Sequence, residues 1–301
     1  MSFLNPVNEP VLRFKSTDAG APQINYNAPT AGNIKAVLKA CLVDGYGNVP
    51  SAGWTSENEV DNVCEFVSPS ADMSNYRFGI DDSVWNKITW YYKHQGIRID
   101  PANNSPDRVL RFIDKTHVSN GWQLFVTDLG LLLVELAQLT NIGRLTARIT
   151  YWGKAKSGLT NDNGNNIVFF NIGQDGAITY PRDFYSTPAS IHIRLGEHTA
   201  TQASAATSIA LTKVGFKTGV SAVDLVSDIY LATSAQDAII GALPPVLSKV
   251  INNPSDVYGI SDSVLDGRNV LSVCAGWAAA AIETAIPYSR TFLIPTDYWE
   301  Y

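Results

Sequence analysis

The sequence has few of the residues from which metal sites, disulfide frameworks and thiol enzymes are built. Among its 301 residues there are 3 cysteines and 4 histidines. The cysteines are odd in number and far apart, and no Cys-x-x-Cys or Cys/His spacing suggests zinc. They are Cys41, Cys64 and Cys274. This pattern predicts buried free thiols in a protein made in a reducing cytosol.

Charged residues are also scarce. Only 17% of the residues are charged, whereas 45% are hydrophobic, which is enough to bury a sizeable core. The formal net charge is −6, and no run of Lys or Arg goes beyond isolated pairs such as Lys154 and Lys156. A surface that follows nucleic-acid phosphates needs clustered positive charge. We therefore expect no direct nucleic-acid partner.

Long apolar runs are missing too. The longest are "LGLLLVELAQL" (129–139) and "CAGWAAAAIETAI" (274–286), and each contains a glutamate. Both are shorter than the ~20 residues with which a helix crosses a bilayer. The segment "MSFLNPVNEPVLRFK" (1–15) lacks the basic and apolar regions of a secretory signal. We expect no membrane span.

The motifs of common enzymes do not occur. The sequence contains no Gly-x-Ser-x-Gly elbow and no glycine-rich phosphate loop. His94 and His117 have no second histidine or carboxylate at metal spacing, and alternation places His192 with Arg194 on the polar face of a strand. Asp81-Asp82 lacks the alternating oxygen ligands of a calcium loop, so we expect a hydrated turn that ends a strand. The sequence thus predicts no enzyme, no cofactor and no metal.

Residues 1–15 predict an extended arm. Pro6 and Pro10 prevent a helix. A segment of this length has no core of its own, so its apolar side chains must pack on something else. It fits either an arm that lies on its own domain or one that reaches a neighbouring subunit. The apolar residues are Phe3, Leu4, Val7, Val11, Leu12 and Phe14.

One short amphipathic helix is predicted after the arm. Apolar residues recur at i, i+3, i+4, i+7 and i+8, which is one stripe of a helix. Thr30 or Asn33 is the expected N-cap, and Gly45 and Gly47 end the helix. We expect the stripe to pack on a sheet. Its members are Ile34, Val37, Leu38, Cys41 and Leu42.

From about residue 76 the pattern becomes that of short strands. Segments rich in β-branched and aromatic residues are bounded by turn residues, among them Asn120-Gly121. Asn163-Gly164 and Asp175-Gly176 predict hairpin turns. The predicted strands are 76–81, 87–94, 96–100, 108–114, 122–128, 144–154, 165–173, 176–181 and 189–196.

The remaining segments are less regular. "LGLLLVELAQLTNIG" (129–143) fits a helix or a buried strand, and its leucines favour the helix. "AVDLVSDIYLATS" (222–234) fits either one. "SAQDAIIGALPPVLSKV" (234–250) begins like a capped helix that Pro244-Pro245 breaks. Two strands and the aromatic tail "PTDYWEY" (295–301) close the chain.

These segments together predict a mainly β fold with a few short helices (α+β). Many short strands at this spacing indicate an antiparallel sandwich- or barrel-like core, here with an extended N-terminal arm. We divide the chain into the arm (1–15), a β-rich domain with the amphipathic helix (16–200) and a last part (201–301). That last part either continues the same body or forms a small C-terminal subdomain.

The stretch around the helix resembles the start of a family of tailed-bacteriophage virion structural proteins, of the tail, baseplate or neck type. Residues 16–83 carry most of the resemblance, and "VGFKTG" and "GALPPVL" are weaker matches farther on. The matching segments are "STDAGAP" (16–22), "ACLV" (40–43), "GYG" (45–47), "AGWT" (52–55) and "YRFGIDDS" (76–83).

The resemblance implies a structural subunit of a phage particle, without catalysis, found in the virion after synthesis in the host bacterial cytoplasm. Its expected partners are other phage structural proteins and further copies of itself. Apolar and aromatic residues near both ends of the chain are of the types enriched at interfaces, although the aromatic tail equally fits a cap on the protein's own sheet. The candidate partner interface comprises Phe3, Leu4, Val7, Val11, Phe14, Tyr298, Trp299 and Tyr301.

Other functions fit parts of the sequence. A receptor- or glycan-binding virion module would expose aromatic side chains that also suit a strand core. A capsid decoration or collar protein would make the same kind of contacts elsewhere on the particle. A hydrolase of cell wall or polysaccharide would need acidic residues. The candidate aromatics are Trp85, Trp90, Tyr91 and Tyr92, and the candidate acids are Asp81, Asp82 and Glu135.

Overall fold

The computed structural model shows a chain built almost entirely from antiparallel strands. Among the described residues there is one short α-helix, and every pairing between strands is antiparallel. The predicted mainly β fold is therefore confirmed. The structure describes residues 7–24, 30–84, 87–99, 110–111, 117–139, 144–157, 167–172, 192–194, 210–212, 225–232, 239–250, 260–274 and 291–301.

Sheet I has six strands, numbered like all strands here in chain order. The described residues of the predicted strands 122–128, 144–154, 165–173 and 189–196 form strands in it, so these four predictions are confirmed over those residues. In spatial order the sheet contains β14 (His192–Arg194), β13 (Ile167–Ile172), β11 (Arg144–Lys154), β10 (Gly130–Leu139), β9 (His117–Thr127) and β2 (Leu12–Lys15).

Sheet II confirms the predicted strands 76–81, 87–94, 96–100 and 108–114. For 96–100 and 108–114 this holds only over the described residues, and of 108–114 these are the two residues of β8 (Leu110–Arg111), which pairs with β6 beside the main path. The path itself contains β3 (Thr55–Val60), β4 (Val63–Val67), β5 (Tyr76–Val84), β6 (Lys87–His94) and β7 (Ile97–Ile99).

Sheet III is formed by the later part of the chain, together with β12 (Lys156–Ser157), which pairs with β17. β12 lies before residue 200 and β17 lies after it, so this pairing crosses the predicted boundary between 16–200 and 201–301. The boundary itself stays a prediction. The spatial order is β15 (Ala210–Thr212), β16 (Leu225–Ala232), β17 (Ile239–Val250), β20 (Thr291–Pro295), β19 (Arg268–Cys274) and β18 (Ile260–Leu265). The predicted strand 176–181 and the turns at Asn163-Gly164 and Asp175-Gly176 lie outside the described residues.

The helix favoured for residues 129–143 is wrong, because β10 is a central strand of sheet I. It pairs with β9 on one side and β11 on the other. The leucines from Leu131 to Leu133 are fully buried. A strand buried on both faces has a continuous apolar run rather than an alternating one, so its sequence looks like that of a buried helix.

The capped helix predicted to begin in 234–250 and to break at Pro244-Pro245 is wrong for residues 239–243, which lie in a strand. This segment contains β17, and the open choice for 222–234 resolves to the strand β16. Pairing between them passes from Asp228–Leu247 to Tyr230–Ala242, so Pro244 and Pro245 lie in an irregular stretch with no partner in β16. A proline there loses no ladder hydrogen bond, which is how the strand tolerates both.

Asn120-Gly121 does not end a strand as predicted but forms a β-bulge within β9. Glu135 pairs with Trp122 and Ala137 with Ser119, so two residues of β9 face the single residue between Glu135 and Ala137. Gly121 has a φ of +95°, which favours glycine. The bulge lets Ser16 bind the strand: Ser16 N–H donates to Trp122 O at 2.9 Å, and Trp122 N–H donates to Ser16 Oγ at 3.1 Å.

The amphipathic helix is confirmed as α1 (Asn33–Lys39), which continues into a π-helical turn (Ala40–Asp44) and ends at Gly45. The N-cap prediction is wrong. Gly32 precedes the helix, and neither Thr30 nor Asn33 bonds to its free amides; Thr30 Oγ1 instead donates to Asn33 Oδ1. All five residues of the predicted stripe, Ile34, Val37, Leu38, Cys41 and Leu42, are fully buried.

Aromatic side chains pack sheet II against sheet I. Phe78 of β5 stacks on Trp90 at 5.4 Å between ring centroids and lies 5.2 Å from Trp152 of β11. Trp54, which follows the helix, meets Trp152 edge-on at 5.9 Å. Such pairs add to the free energy of burial, so this cluster is a main source of cohesion between the two sheets.

The described part of the arm lies on its own chain. β1 (Asn8–Pro10) pairs with β21 (Tyr298–Glu300) in a two-stranded ribbon, and β2 pairs with β9. Of the two alternatives left open by the sequence, residues 7–15 follow the one in which the arm packs on its own domain.

Cys41 and Cys64 are buried free thiols, as predicted, and the side chain of Cys274 lies outside the description. Burial, followed by the nearby Glu59 charge, raises the pKa of the Cys64 thiol to about 11. A thiol with so high a pKa is a poor nucleophile at neutral pH, so this cysteine acts as a small apolar core residue.

The packing of α1 predicts that Val37→Ala destabilises the protein by about 2 kcal/mol, because it removes two fully buried methyl groups. The matched control is Val60→Ala on β3, where the side chain is 65% exposed and the expected loss is below about 0.5 kcal/mol. Urea unfolding measures both. Equal losses would contradict the burial of the helix stripe.

The bulge predicts that Gly121→Ala costs at least about 1 kcal/mol more than Gly96→Ala. Both glycines have positive φ, but a Cβ at residue 121 would lie 2.0 Å from Ser16 Oγ, whereas one at residue 96 meets nothing within 4 Å. Thermal unfolding of the two variants measures the difference. If both lose the same stability, the contact between Ser16 and the bulge is not as described.

Candidate functional site

The ribbon of β1 and β21 is the first element of the candidate site. Val7 N–H donates to Tyr301 O at 3.2 Å, Tyr301 N–H donates to Val7 O at 3.0 Å, and Val11 N–H donates to Asp297 O at 2.9 Å. These bonds extend beyond both ends of the paired strands, so residues from the two ends of the chain form one ordered surface.

Arg268 holds this ribbon to sheet III. Its guanidinium donates to Asp297 Oδ1 at 3.0 Å and to Glu300 Oε1 at 3.4 Å, and it lies 3.7 Å from the centre of the Tyr298 ring. Burial alone would raise the pKa of Asp297, but hydrogen bonds from Arg268 and from Tyr298 N–H hold it below its ordinary value. Lys156 adds a 2.9 Å ion pair to Glu300. This charged cluster fixes where the Tyr298 ring lies.

Three residues of the predicted interface are core residues of this chain. Phe14, Trp299 and Tyr301 are all buried. Trp299 Nε1 donates to Pro295 O at 3.0 Å, and the indole meets Tyr151 edge-on at 6.1 Å. Trp299 and Tyr301 therefore follow the alternative in which the aromatic tail caps the protein's own sheet, because their side chains are buried within this chain.

The other predicted interface residues lie differently. Val7 is 54% exposed, and Val11 and Tyr298 are partly exposed. Leu12, which the sequence analysis placed in the arm but not in the interface, is 48% exposed. Phe3 and Leu4 lie outside the described residues. We call the exposed group Val7, Val11, Leu12 and Tyr298 the arm surface.

The arm surface borders the edge of sheet III. Arg13, next to Leu12, bonds Asp262 of β18 at 2.8 Å. The same guanidinium lies 5.5 Å from the centre of the Phe125 ring and donates to Gln123 Oε1 at 2.9 Å. This ion pair links β2 of sheet I to β18 of sheet III.

The outer face of sheet II carries a buried charge. Glu65 accepts hydrogen bonds from Asn58 Nδ2 at 2.8 Å and Tyr91 Oη at 3.0 Å, and it pairs with Lys93. Burial would raise the pKa of Glu65, but these partners together lower it below its ordinary value. The Tyr91 ring lies over Gly79, where any Cβ would approach it to 2.2 Å. The arrangement is a satisfied structural network.

The aromatics proposed for glycan binding are not displayed. Trp90, Tyr91 and Tyr92 are buried, and Trp85 lies outside the described residues. Arg98 covers the outer side of the Tyr91 ring at 3.9 Å. A sugar ring needs an open aromatic face, which none of these three residues offers.

The hydrated turn predicted at Asp81-Asp82 is wrong, because β5 continues to Val84 and Asp82 is fully buried. Its Oδ2 accepts from the Ile34 N–H at 2.8 Å and from the Lys35 N–H at 3.2 Å, so Asp82 is the residue that satisfies the start of α1. Its backbone O also accepts from Gly32 N–H at 2.8 Å.

Burial raises the pKa of Asp82 to about 6. The two amide bonds from α1 oppose this shift, whereas the negative charges of Glu135 and Asp81 add to it. Glu135 is buried as well. Two of the three candidate acids of a hydrolase are thus enclosed in the core, where a polysaccharide has no access to them.

Among the described residues, potential metal ligands do not gather. His94 is buried and packs at a tilt against Tyr76, with 4.7 Å between ring centroids, and the side chains of His117 and His192 lie outside the described part. Within the described stretches, no three histidine, cysteine or acidic side chains are placed to hold a metal ion. No helix in the same stretches is both long and apolar enough to cross a membrane.

Comparison with known proteins adds no relative. A scan against protein-family models, a search of curated proteins and a search of solved structures each found no match.

The environment of Asp82 predicts a pH dependence of stability. Because the pKa is raised in the folded protein, the folded state keeps a proton that the unfolded chain has lost between pH ~4 and ~6. Stability therefore falls as the pH rises through this window, by about 3 kcal/mol from this residue, and levels off above it. Urea unfolding of the wild type and Asp82→Asn from pH 4 to 8 measures it.

Asp82→Asn keeps an acceptor for the amides of α1 but removes the charge, so the variant should lack this fall. Asp81→Asn is the matched control, because its side chain does not bond to α1; it should keep most of the fall, slightly reduced because the Asp81 charge adds to the raised pKa of Asp82. A wild-type profile that runs parallel to that of Asp82→Asn would contradict the assignment.

Proposed function

We propose that this protein is a structural subunit of a tailed-bacteriophage particle, which contributes to tail, baseplate or neck assembly through protein–protein contacts and without catalysis. The resemblance of residues 16–83 to the phage family supports the particle assignment. The arm surface supports the role in contacts, and it is the observation that carries the proposal.

The arm surface has the properties of a preformed contact site. Val7 and Leu12 expose about half of their apolar side chains, and Tyr298 is partly exposed, with Arg268 over its ring. Tyrosine and large apolar side chains supply much of the binding energy at interfaces. The backbone bonds to Asp297 and Tyr301 fix the arm before any partner arrives, so binding costs little ordering entropy.

The surroundings of the arm surface are charged in both signs. Arg13, which follows Leu12 in the chain, pairs with Asp262, and Arg268, whose guanidinium lies over the Tyr298 ring, pairs with Asp297 and Glu300. An apolar centre with a polar rim is the usual arrangement of a specific interface. Under this proposal the neighbouring particle protein, or a further copy of this chain, covers the arm surface after assembly.

The experiment is incorporation of variants into particles, by complementation of a phage that lacks this gene. Leu12→Glu places a charge in the arm surface and should lower the yield of particles more than tenfold. Val60→Glu is the matched control on β3, since Val60 is also apolar and 65% exposed, and its yield should stay within twofold of the wild type.

Circular dichroism and melting temperature should show both variants folded, so that a loss of yield reports on contacts. Equal yields from the two variants would overturn the role of the arm surface. If purified particles do not contain the wild-type chain at all, the particle assignment itself fails.

A further inference from the structure

β18 is the one long, regular edge strand among the sheets that the structure describes. It pairs with β19 at six consecutive positions without a register shift, and no described strand pairs with its other side. The terminal strands of sheet I and the outer strands β7 and β15 have only three or four residues. An edge of this length and regularity is a template for another strand.

The other long edge, β3, is protected. Its register shifts between Glu57 and Val60, and Asn58 has a φ of +50°. Glu57 and Glu59 add charge to that edge. Bulges and charged side chains are the devices that keep edge strands from pairing. β18 has no bulge, and its one charged residue, Asp262, is already paired with Arg13.

The hairpin defines which groups of β18 face outward. Asp266 and Gly267 have φ of +49° and +81°, as in a two-residue type I′ turn, and Leu265 pairs with Arg268 next to it. The pair that flanks such a turn exchanges both hydrogen bonds, and the pattern then alternates. Ser261, Ser263 and Leu265 therefore bond to β19. Ile260, Asp262 and Val264 direct their N–H and C=O groups away from it.

We propose that β18 pairs with β18 of a second copy of this chain, antiparallel and across a twofold axis, so that two copies of sheet III join into one continuous sheet. This pairing is a specific contact for the homo-oligomer in the proposed function. It rests on that function only because it takes the partner to be a further copy of the same chain.

The strand is complementary to itself. Twofold symmetry requires a residue to face its own counterpart at the centre, and two registers keep most of β18 overlapped: one centred on Ser263 and one on Asp262. In the first, Asp262 faces Val264 of the second copy, and each such pair exchanges two main-chain hydrogen bonds. No like charges meet, and Val264, which is 65% exposed, is covered.

The register centred on Asp262 brings different side chains opposite each other. It pairs Ile260 with Val264 of the second copy, which is a favourable apolar contact, but it places the two Asp262 carboxylates opposite each other. Each of these carboxylates has its own Arg13 partner at 2.8 Å, which reduces the repulsion. Both registers give the same joined sheet and differ in which serines face each other.

Cysteine cross-linking tests the pairing and reads the register. Facing residues in antiparallel strands have Cα atoms about 4.5–5.5 Å apart, which suits a disulfide. Ser263→Cys and Ser261→Cys are oxidised mildly, alone and as a mixture, and analysed without reductant. The wild type, whose Cys41 and Cys64 are buried, is the background control.

A dimer from Ser263→Cys alone shows the register centred on Ser263. A dimer that forms only in the mixture shows the register centred on Asp262, because residue 261 then faces residue 263 of the second copy. Either result supports the proposal. A dimer from Ser261→Cys alone, or no disulfide in any sample at millimolar protein, overturns it.

Val264→Pro is an independent check by light scattering. It removes an outward N–H without touching a bond to β19, so the mass should fall to that of a monomer, whereas Val264→Thr keeps the N–H and the wild-type mass. If both variants have the wild-type mass, β18 is not the contact. If particles incorporate Val264→Pro as well as the wild type, the β18 contact is excluded, whereas the proposed function is not.

Discussion

The packing of Phe14, Trp299 and Tyr301 into one core is the constraint on which the rest of the structure depends. Tyr301 Oη lies 2.9 Å from Thr127 Oγ1, and burial raises the pKa of its phenol well above the ordinary range. Trp299 fills the space against Tyr151, and Phe14 enters the same core from β2. These three side chains are therefore used in folding, whereas Val7 and Leu12 stay about half exposed, so among the described residues the arm surface and the sheet edges are open to partners.

Much of the fold could be predicted where strand-forming residues cluster between turns or where apolar residues recur with a helical period. The β-branched and aromatic residues of 87–94 and 144–154 lead to β6 and β11, and the helical period of 34–42 leads to α1. Prediction failed at β10, because a strand buried on both faces loses its alternation, and at β17, because Pro244 and Pro245 occupy an irregular stretch that needs no donors. In both cases the neighbouring strands, rather than the local sequence, decide the structure.

The candidate site was harder to predict, because its contacts join distant residues. Asp82 caps a helix 48 residues earlier in the chain, and nothing around the Asp-Asp pair shows this. The tail aromatics have the same composition whether they cover a partner or their own sheet, so only the packing of Trp299 and Tyr301 separates the two. No sequence pattern indicates that Arg268 binds Asp297 and Glu300. The sequence shows that Leu12 is an apolar arm residue, but it does not show that the side chain is exposed.

The central claim is that contacts within its own chain order the arm, so that the arm surface is preformed before a partner binds. Hydrogen–deuterium exchange of the amides of Val7, Val11 and Tyr301, measured from dilute monomer to the most concentrated assembly, tests it most directly. These amides donate to backbone oxygens of the same chain, so we predict protection that does not change with protein concentration. Protection that is absent in the dilute monomer and appears only on assembly would contradict the account, because the arm would then be ordered by a neighbouring subunit.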